Sequence, residues 1–152
     1  ANYNTPQQIV IGGEAPAVDK AVELLQAAGT KRVIPLNVSG PFHTALLEPA
    51  SQQLAQELAQ ITFEELQVPV ISNTTAQPMQ QDQIKELLTL QVKSPVRCYE
   101  SMATLKQLDI QQVIEIGPGK VLSGFLKKID KEIQTARVED SQTLADTLAR
   151  FN

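Results

Sequence analysis

His43, the only histidine of the chain, is the residue best suited to chemistry. It lies in the turn-like segment Val38-Ser39-Gly40-Pro41-Phe42-His43-Thr44, after a strand-like run and before a helix-like run that begins near Ala45. A corner between a strand and a helix can present a side chain to a cleft on a rigid backbone. Because imidazole is well matched to proton transfer near neutral pH, His43 is the first candidate for a general acid–base residue. A structural or merely exposed histidine is the alternative.

A catalytic histidine needs a nucleophile or a substrate to serve and a group that orients its second ring nitrogen. The chain offers many Ser and Thr hydroxyls, but none stands in a Gly-x-Ser-x-Gly elbow. The chain also opens at Ala1 without a Met, which favours a fragment of a longer protein over a processed mature terminus. The base can therefore be here while the nucleophile is elsewhere.

A second candidate is the segment Gly117-Pro118-Gly119-Lys120, between a predicted strand and a predicted helix. Free N–H groups at the start of a helix attract phosphates and other anions. However, Val121 stands where a Walker loop needs Ser or Thr, and Leu122 stands where a dinucleotide fingerprint needs its third glycine. The pattern favours a tight turn that lets a helix pack closely on a sheet over a phosphate site.

The polar start of the chain, Asn2-Tyr3-Asn4-Thr5-Pro6, is a third candidate. Residues at alternate positions of an extended chain lie on one face, so the amides of Asn2 and Asn4 could both border a polar cleft. A turn before the following strand is the alternative, because asparagine is common in turns. The segment alone does not decide between the two.

Composition argues against several classes of function. Of the 152 residues, 42% are hydrophobic and 20% are charged, which is typical of a soluble globular protein, and the net charge is -4. No basic block alternates with aromatic residues and no apolar stretch could cross a bilayer, so neither nucleic acid nor a membrane is an expected partner. With one cysteine and one histidine, a tetrahedral zinc site within the chain is close to excluded, and no metal or cofactor is expected. The expected compartment is the cytoplasm, with Cys98 as an inert thiol.

Apolar periodicity predicts alternating helices and strands. The predicted helices are 16–28, 45–61, 82–90, 95–108, 120–129 and 141–151, and the predicted strands are 8–11, 31–38, 68–72, 112–116 and 133–138. Pro49 is expected to move the start of the second helix to a later residue, and Asp82 is the expected N-cap of the third. Strand, helix and strand over residues 8–38 predict a βαβ unit. The alternation predicts the α/β class, with a mostly parallel sheet in the longer carboxyl part.

Five segments follow one another along the chain: ANYNTPQQIVI (1–11), IPLNVSGPFHT (34–44), VISN (70–73), Gln91 with SPV (94–96), and EIGPGKVL (115–122). In this order they resemble the carboxyl half of the malonyl-CoA:acyl-carrier-protein transacylase family of bacterial fatty-acid synthesis. Each segment alone is a modest match, but the resemblance runs essentially from end to end.

In that family a serine, in a Gly-His-Ser-x-Gly elbow, takes the malonyl group from coenzyme A and passes it to the phosphopantetheine thiol of the carrier in a ping-pong cycle. The resemblance implies that His43 is the general base, which takes the serine proton and returns a proton to the leaving thiol. Gln91 is similar to the family residue whose carbonyl orients that imidazole, in place of the carboxylate of the commoner triad. The serine, the arginine that pairs with the malonyl carboxylate and the oxyanion-hole donors belong to the family's upstream half.

The resemblance implies roles for three further residues. Asn2 and Asn4 match the asparagines that line the family's cleft, so they are expected at the substrate or in support of the active site. Phe42, just before the base, is expected beside the acyl pocket, where a bulky ring disfavours an α-methyl branch, so malonyl is the expected group. The expected partners are malonyl-CoA, acyl carrier protein and the amino-terminal half of the same enzyme.

The resemblance also implies an incomplete fold. Residues 1–40 would be part of a ferredoxin-like small subdomain, and residues 41–152 the carboxyl-terminal part of a hydrolase-like α/β subdomain. The sheet would present an unpaired edge, and these residues alone would be inactive and poorly stable without a companion chain. A non-catalytic α/β binding module that docks an acidic carrier or another protein is one alternative, and an acyltransferase domain of a polyketide-type assembly is another.

Overall fold

The computed structural model describes residues 1–151. These residues contain two two-stranded sheets and six α-helices. The strands are β1 (Asn2–Thr5), β2 (Gln8–Val10), β3 (Gln112–Ile116) and β4 (Gln134–Val138). The helices are α1 (Ala15–Ala27), α2 (Glu48–Ala59), α3 (Ile84–Gln91), α4 (Cys98–Gln107), α5 (Val121–Ile129) and α6 (Ser141–Phe151). Short 3₁₀ segments, Ala45–Leu47 and Gln81–Gln83, precede α2 and α3. Asn152, the last residue of the predicted large subdomain, lies outside the described residues.

The strands β3 and β4 form a parallel pair in register along all 5 residues of each strand. The crossover between them is α5, which packs against both strands. The last helix covers β4, where the Thr147 hydroxyl donates to the Arg137 carbonyl at 2.9 Å. These elements confirm the α/β class and the parallel pairing predicted for the carboxyl part.

Strand β1 has backbone partners on both of its sides. It pairs with β2 in antiparallel fashion, and on its other side the Tyr3 N–H donates to the Val96 carbonyl at 2.8 Å while the Val96 N–H donates to the Ala1 carbonyl at 2.8 Å. These bonds hold residues 2–5 extended, so the turn alternative for the polar start is wrong. The turn lies one step later, at Pro6 and Gln7.

Helix starts follow the backbone bonds more closely than the sequence patterns. Pro49 lies at the start of α2, which begins later than the apolar pattern alone suggested, as predicted. The prediction of Asp82 as the N-cap of the third helix is wrong. Gln80 occupies the cap position before the 3₁₀ segment, and its N–H donates to Gln83 Oε1 at 3.2 Å.

Helix α4 begins at Cys98 rather than at Pro95, where the sequence predicted its start. The N–H of Val96 donates to β1, and the N–H of Arg97 donates to the Asn73 carbonyl at 2.9 Å. Because these two groups bind remote carbonyls, residues 95–97 stay outside the helix instead of opening it early.

The predicted strand over residues 31–38 is wrong, and so is the βαβ unit that depended on it. No ladder joins this segment to another part of the described chain. A strand needs a neighbouring backbone to satisfy its N–H and C=O groups. The segment instead exposes its apolar side chains, with Ile34, Leu36 and Val38 at 55%, 56% and 62% exposure.

The predicted strand over residues 68–72 is also wrong, because this stretch turns back on itself. The Met79 N–H donates to the Val70 carbonyl at 2.8 Å. What remains of the predicted strand is one isolated antiparallel bridge between Ile71 and Pro78. A local turn therefore takes the bonds that a longer strand would have offered to a sheet.

Buried apolar side chains form a small core, centred on the packing of α2 against α3 and on the inner face of α5. Each residue of this core exposes less than a tenth of its surface. The residues are Leu58, Ala76, Ile84, Leu87, Cys98, Leu126 and Ile133. Apolar side chains also lie on the solvent-facing side of β3, where Ile114 is 44% exposed and Ile116 is 82% exposed. Within the described residues the parallel sheet has two strands, so each has one edge without a ladder partner.

Among residues 1–151, no helix combines the length and the apolar character that crossing a membrane would require. The division near residue 40 into a ferredoxin-like part and a hydrolase-like part stays a prediction.

Candidate active site

His43 lies in the predicted turn, just before the 3₁₀ segment that leads into α2, but the strand expected on the other side of this corner is absent from the described residues. Its backbone is left-handed, with φ of 60°, a conformation that costs a residue with a Cβ about 1 kcal/mol. The Thr44 hydroxyl donates to the Pro41 carbonyl at 2.7 Å and braces the corner. A methyl group on Gly12 would lie 3.0 Å from Thr44 Cγ2, so the chain after β2 packs closely against the same corner. The surrounding structure therefore fixes an unusual backbone geometry at this histidine.

The half-buried imidazole reaches the end of α3. His43 Nδ1 lies 3.0 Å from the main-chain carbonyl oxygen of Gln91, a residue 48 positions away in the sequence. Since a carbonyl oxygen can only accept, Nδ1 carries the hydrogen and donates it. In the neutral ring Nε2 is then unprotonated and free to accept a proton. The structure thus brings two sequence-predicted residues together, through the backbone of Gln91 rather than its side chain.

The two helices next to this pair are packed against each other. Leu58 of α2 and Leu87 of α3 are 7% and 6% exposed. Beyond the end of α3, Lys93 Nζ lies 2.5 Å from Glu48 Oε2 at the start of α2. Hydrogen bonds from this lysine and from Gln52 lower the pKa of the Glu48 carboxyl, which keeps the ion pair charged at neutral pH. Because α2 follows the His43 corner, these contacts hold the imidazole near the last residue of α3.

Asn2 and Asn4 flank Tyr3 in β1, whose pairing register with β2 shifts between Tyr3 and Thr5. Both are half-buried, whereas Tyr3 between them is 46% exposed. Ala1 lies beside Gly12, which also contacts the His43 corner, so the start of β1 is near that corner. The hydrogen bonds found among the described residues do not link either asparagine to His43 or Gln91.

Phe42 is 53% exposed beside the imidazole. Its ring edge faces Gly40, where an added Cβ would lie 3.8 Å from two ring carbons. That distance is an ordinary van der Waals contact, so a side chain at position 40 would still leave room for the ring. The ring is exposed to solvent rather than filling the core, and its place beside an acyl pocket stays a prediction.

The Gly117-Pro118-Gly119 segment is the tight turn that the sequence favoured. Glu115 on β3 accepts the Leu122 and Ser123 N–H groups at the start of α5, at 3.0 and 2.8 Å. Partial burial alone would raise the pKa of the Glu115 carboxyl, but the hydrogen bonds from Ser123 and its neighbours outweigh it and lower that pKa. The protein's own carboxylate thus occupies the place where a phosphate would bind. Sequence reasoning missed this role of Glu115, although an acid at the end of the strand was a visible signal.

Cys98 is buried, at 6% exposure, in the first turn of α4. Burial raises the pKa of its thiol, so the unreactive protonated form prevails at neutral pH. The interpretation of Cys98 as an inert thiol agrees with this environment.

An open groove of about 500 Å³, which the sequence did not predict, lies between α5, β4 and α6. Two arginines that line this groove already bind groups of the same chain. Arg137 Nη1 lies 2.6 Å from Glu139 Oε1, and Arg150 Nη1 donates to the Thr135 carbonyl at 2.8 Å. Of the sequence-predicted candidates, Lys120 lines this groove, whereas His43 and Gln91 do not.

Comparison with known proteins identifies relatives along almost the whole chain. A sequence model of the acyl transferase domain family matches residues 1–149. The malonyl CoA-acyl carrier protein transacylase of Bacillus subtilis is 47% identical over 145 residues, which are 95% of this chain and 46% of that protein. The crystal structure of MCAT from Streptococcus pneumoniae has a TM-score of 0.96 and 60% identity, over 99% of this chain and 50% of that one. A malonyl-transacylase solved in complex with a type II polyketide acyl-carrier protein has a TM-score of 0.94 and 39% identity, over 99% of this chain and 49% of that one.

The chain spans about half the length of the relatives it matches, at 46% of one and 50% of another. Its mixed architecture, with one parallel and one antiparallel pair of strands, matches part of the fold of those structures. The family match extends from the first residue to residue 149, so the resemblance drawn from five sequence segments is confirmed. This chain belongs to the acyl transferase domain family.

Proposed function

We propose that this chain carries the general base of an enzyme that transfers a malonyl group from malonyl-CoA to the phosphopantetheine thiol of acyl carrier protein. The observation that carries the proposal is the 3.0 Å hydrogen bond between His43 Nδ1 and the Gln91 carbonyl. It fixes one ring nitrogen and leaves Nε2 free, which is the arrangement that a base needs. The names of the B. subtilis and S. pneumoniae relatives support the substrate class.

The proposed reaction has two halves that use the same base. In the first, Nε2 takes the proton of a serine from outside these residues, while the serine oxygen attacks the thioester carbonyl of malonyl-CoA. The C–S bond breaks, and the imidazolium gives its proton to the departing thiolate of coenzyme A. In the second half, Nε2 takes the proton of the carrier thiol, whose sulfur attacks the malonyl-serine ester. The serine oxygen leaves with the proton from the imidazolium, so each half takes and returns one proton.

A neutral carbonyl is a sufficient partner for this base. It stabilises the imidazolium less than a carboxylate would, because it carries only a partial charge. The leaving group in the first half is a thiolate, which departs more readily than an amine or an alkoxide. The first half therefore needs less stabilisation of the imidazolium than peptide hydrolysis does.

The roles proposed for the other cleft residues rest on the family resemblance. Asn2 and Asn4 are half-buried in β1, and we propose that they bind the substrate or support the site. Phe42, exposed next to the base, would narrow the acyl pocket and disfavour an α-methyl branch.

The proposal also includes a second half of the protein that supplies the nucleophile. Two facts support it: the chain covers 46% of its B. subtilis relative, and many large apolar side chains are exposed, with Ile116 at 82%. Burying such side chains against another segment is favourable by about 25 cal/mol per Å². We expect these 152 residues alone to bind a companion segment and to lack transferase activity without it.

The identity of the carrier has a second candidate. The chain matches a malonyl-transacylase solved with the acyl-carrier protein of a type II polyketide synthase, at 39% identity. A carrier of polyketide synthesis is therefore tested beside a carrier of fatty-acid synthesis, by comparing kcat/KM for the two.

The experiment measures malonyl transfer to holo-carrier by the intact protein, before and after His43→Ala. We expect a loss of about a hundredfold or more in kcat, the usual contribution of a positioned base. Gln142→Ala on the exposed side of α6 is the matched control and should leave kcat unchanged. Normal turnover by His43→Ala would refute the mechanism, and binding of carrier without turnover by the wild-type protein would favour the non-catalytic module.

A further inference from the structure

Pro95 leaves the Gln91 carbonyl free. In an α-helix each carbonyl accepts the N–H of the residue four positions later, and for Gln91 that residue is Pro95, which has no N–H. The proline also disfavours a helical backbone at the residue before it, Ser94. Two properties of one side chain thus end α3 at Gln91 and remove the donor that a longer helix would aim at its carbonyl.

The other N–H groups near this helix end donate elsewhere. Those of Lys93 and Ser94 both donate to the Leu90 carbonyl, at 3.2 and 2.9 Å. The next one, from Val96, donates to the Ala1 carbonyl at 2.8 Å. The His43 imidazole therefore meets no competing backbone donor from residues 93–96.

Pro95 itself is exposed to solvent, so its ring adds little to the packing of the core. Its effect on the chain is conformational, through the N–H that it lacks and the backbone that it restricts. This argues for a role at the helix end rather than in the stability of the fold.

We propose that Pro95 is a positioning residue, which reserves the Gln91 carbonyl as the acceptor that sets the tautomer of His43. The inference rests on the proposed function of His43 and adds a specific cause for its orientation. An N–H at position 95 would donate to the Gln91 carbonyl in the α-helical pattern and weaken the bond from Nδ1 by sharing its acceptor. The ring would then sample the tautomer with the proton on Nε2, in which Nε2 cannot accept the proton of the nucleophile.

The test compares two variants of the intact protein that differ in one atom group. Pro95→Ala restores an N–H at position 95. The α-hydroxy acid analogue of alanine at the same position has the same methyl side chain but an ester oxygen in place of the N–H. The 15N shifts of the labelled His43 ring, assigned by their loss in His43→Ala, report which nitrogen carries the hydrogen.

The expected result is a Nδ1–H tautomer in the wild-type protein and in the ester variant, with a marked shift toward Nε2–H in Pro95→Ala. The same alanine variant should lose about tenfold in kcat with little change in KM for malonyl-CoA, since the base is mispositioned while the substrate site is intact. Pro69→Ala, in another exposed segment, is the control for loss of a proline and should alter neither quantity. An unchanged tautomer in Pro95→Ala, or the same shift in the ester variant, overturns the inference.

A second measurement does not depend on the folding of any position-95 variant. If the imidazole is the donor to the Gln91 carbonyl, the 13C resonance of the Gln91 carbonyl carbon moves when His43 is replaced by alanine. An unmoved resonance means that another donor serves the carbonyl and overturns the inference. The proposed function fails separately, because it is refuted only when His43→Ala retains normal turnover.

Discussion

The Ser51 hydroxyl donates to the Thr89 carbonyl at 2.7 Å, across the interface between α2 and α3. Ser51 is 1% exposed, so this bond is shielded from water. It joins the helix that follows His43 to the last turn of the helix that ends at Gln91. The distance between the imidazole and its carbonyl partner is therefore set by helix packing rather than by a loop.

Ser51→Ala is expected to destabilise the protein by about 1 kcal/mol, because the half-buried Thr89 carbonyl loses its donor. Denaturant unfolding measures the loss, and kcat should fall with it as the end of α3 moves relative to His43. Ser39→Ala, at an exposed position, is the control. If the Ser51→Ala protein were as stable as the control, the Ser51–Thr89 hydrogen bond would not contribute to the free energy of unfolding.

Glu115→Gln is expected to lower stability at neutral pH by about 1 kcal/mol, because the charge at the start of α5 is lost. The folded-state pKa of Glu115 lies below its ordinary value of 4.5. Its ionised form therefore stabilises the fold above that value, and this contribution disappears as the pH falls through the lowered pKa. The melting temperatures of wild type and variant should converge as the pH falls below 4.5.

Glu65→Gln, at an exposed carboxyl, is the comparison for general charge effects. A difference between wild type and Glu115→Gln that stays the same from neutral pH to acid pH would show that the ionised carboxylate does not stabilise the start of α5.

The elements with strong local signals were predicted well. The strand over residues 112–116 and the helix over residues 141–151 have the predicted bounds, because apolar periodicity and flanking turn residues define them. The strand predicted at residues 31–38 failed because pairing depends on a neighbouring backbone, which no local pattern reveals. The apolar alternation in this segment indicates only which side chains would gain from burial.

The candidate site divides in the same way. His43 stood out from the sequence through its residue type and its turn. Its partner is a main-chain carbonyl, 48 residues away, and every residue has one. The sequence pointed to Gln91 only through the family resemblance. The left-handed backbone of His43 also left no sequence signal, since its side chain is not one that marks that conformation as glycine does.

Phe42→Ala is expected to widen the acyl pocket and to admit an α-methyl branch. The ratio of kcat/KM for methylmalonyl-CoA to that for malonyl-CoA should rise by about tenfold or more, the usual effect of one methyl group in a pocket. The measurement compares the two thioesters with one carrier in the intact protein. An unchanged ratio would mean that the ring does not border the acyl group.

Cys98 is expected to resist thiol reagents in the folded protein. Its burial, at 6% exposure, and its raised pKa both disfavour the thiolate that such reagents attack. Peptide mapping after alkylation at neutral pH should find Cys98 unmodified under native conditions and fully modified in denaturant. Equal labelling in both conditions would show that α4 opens readily.

The role of His43 as general base is tested most directly by the rate at which the intact protein forms its malonyl-enzyme, measured in a single turnover with labelled malonyl-CoA. With His43 replaced by alanine, we expect this rate to fall by about a hundredfold to ten-thousandfold while malonyl-CoA still binds. A malonyl-enzyme that forms at the wild-type rate without the imidazole would contradict that role.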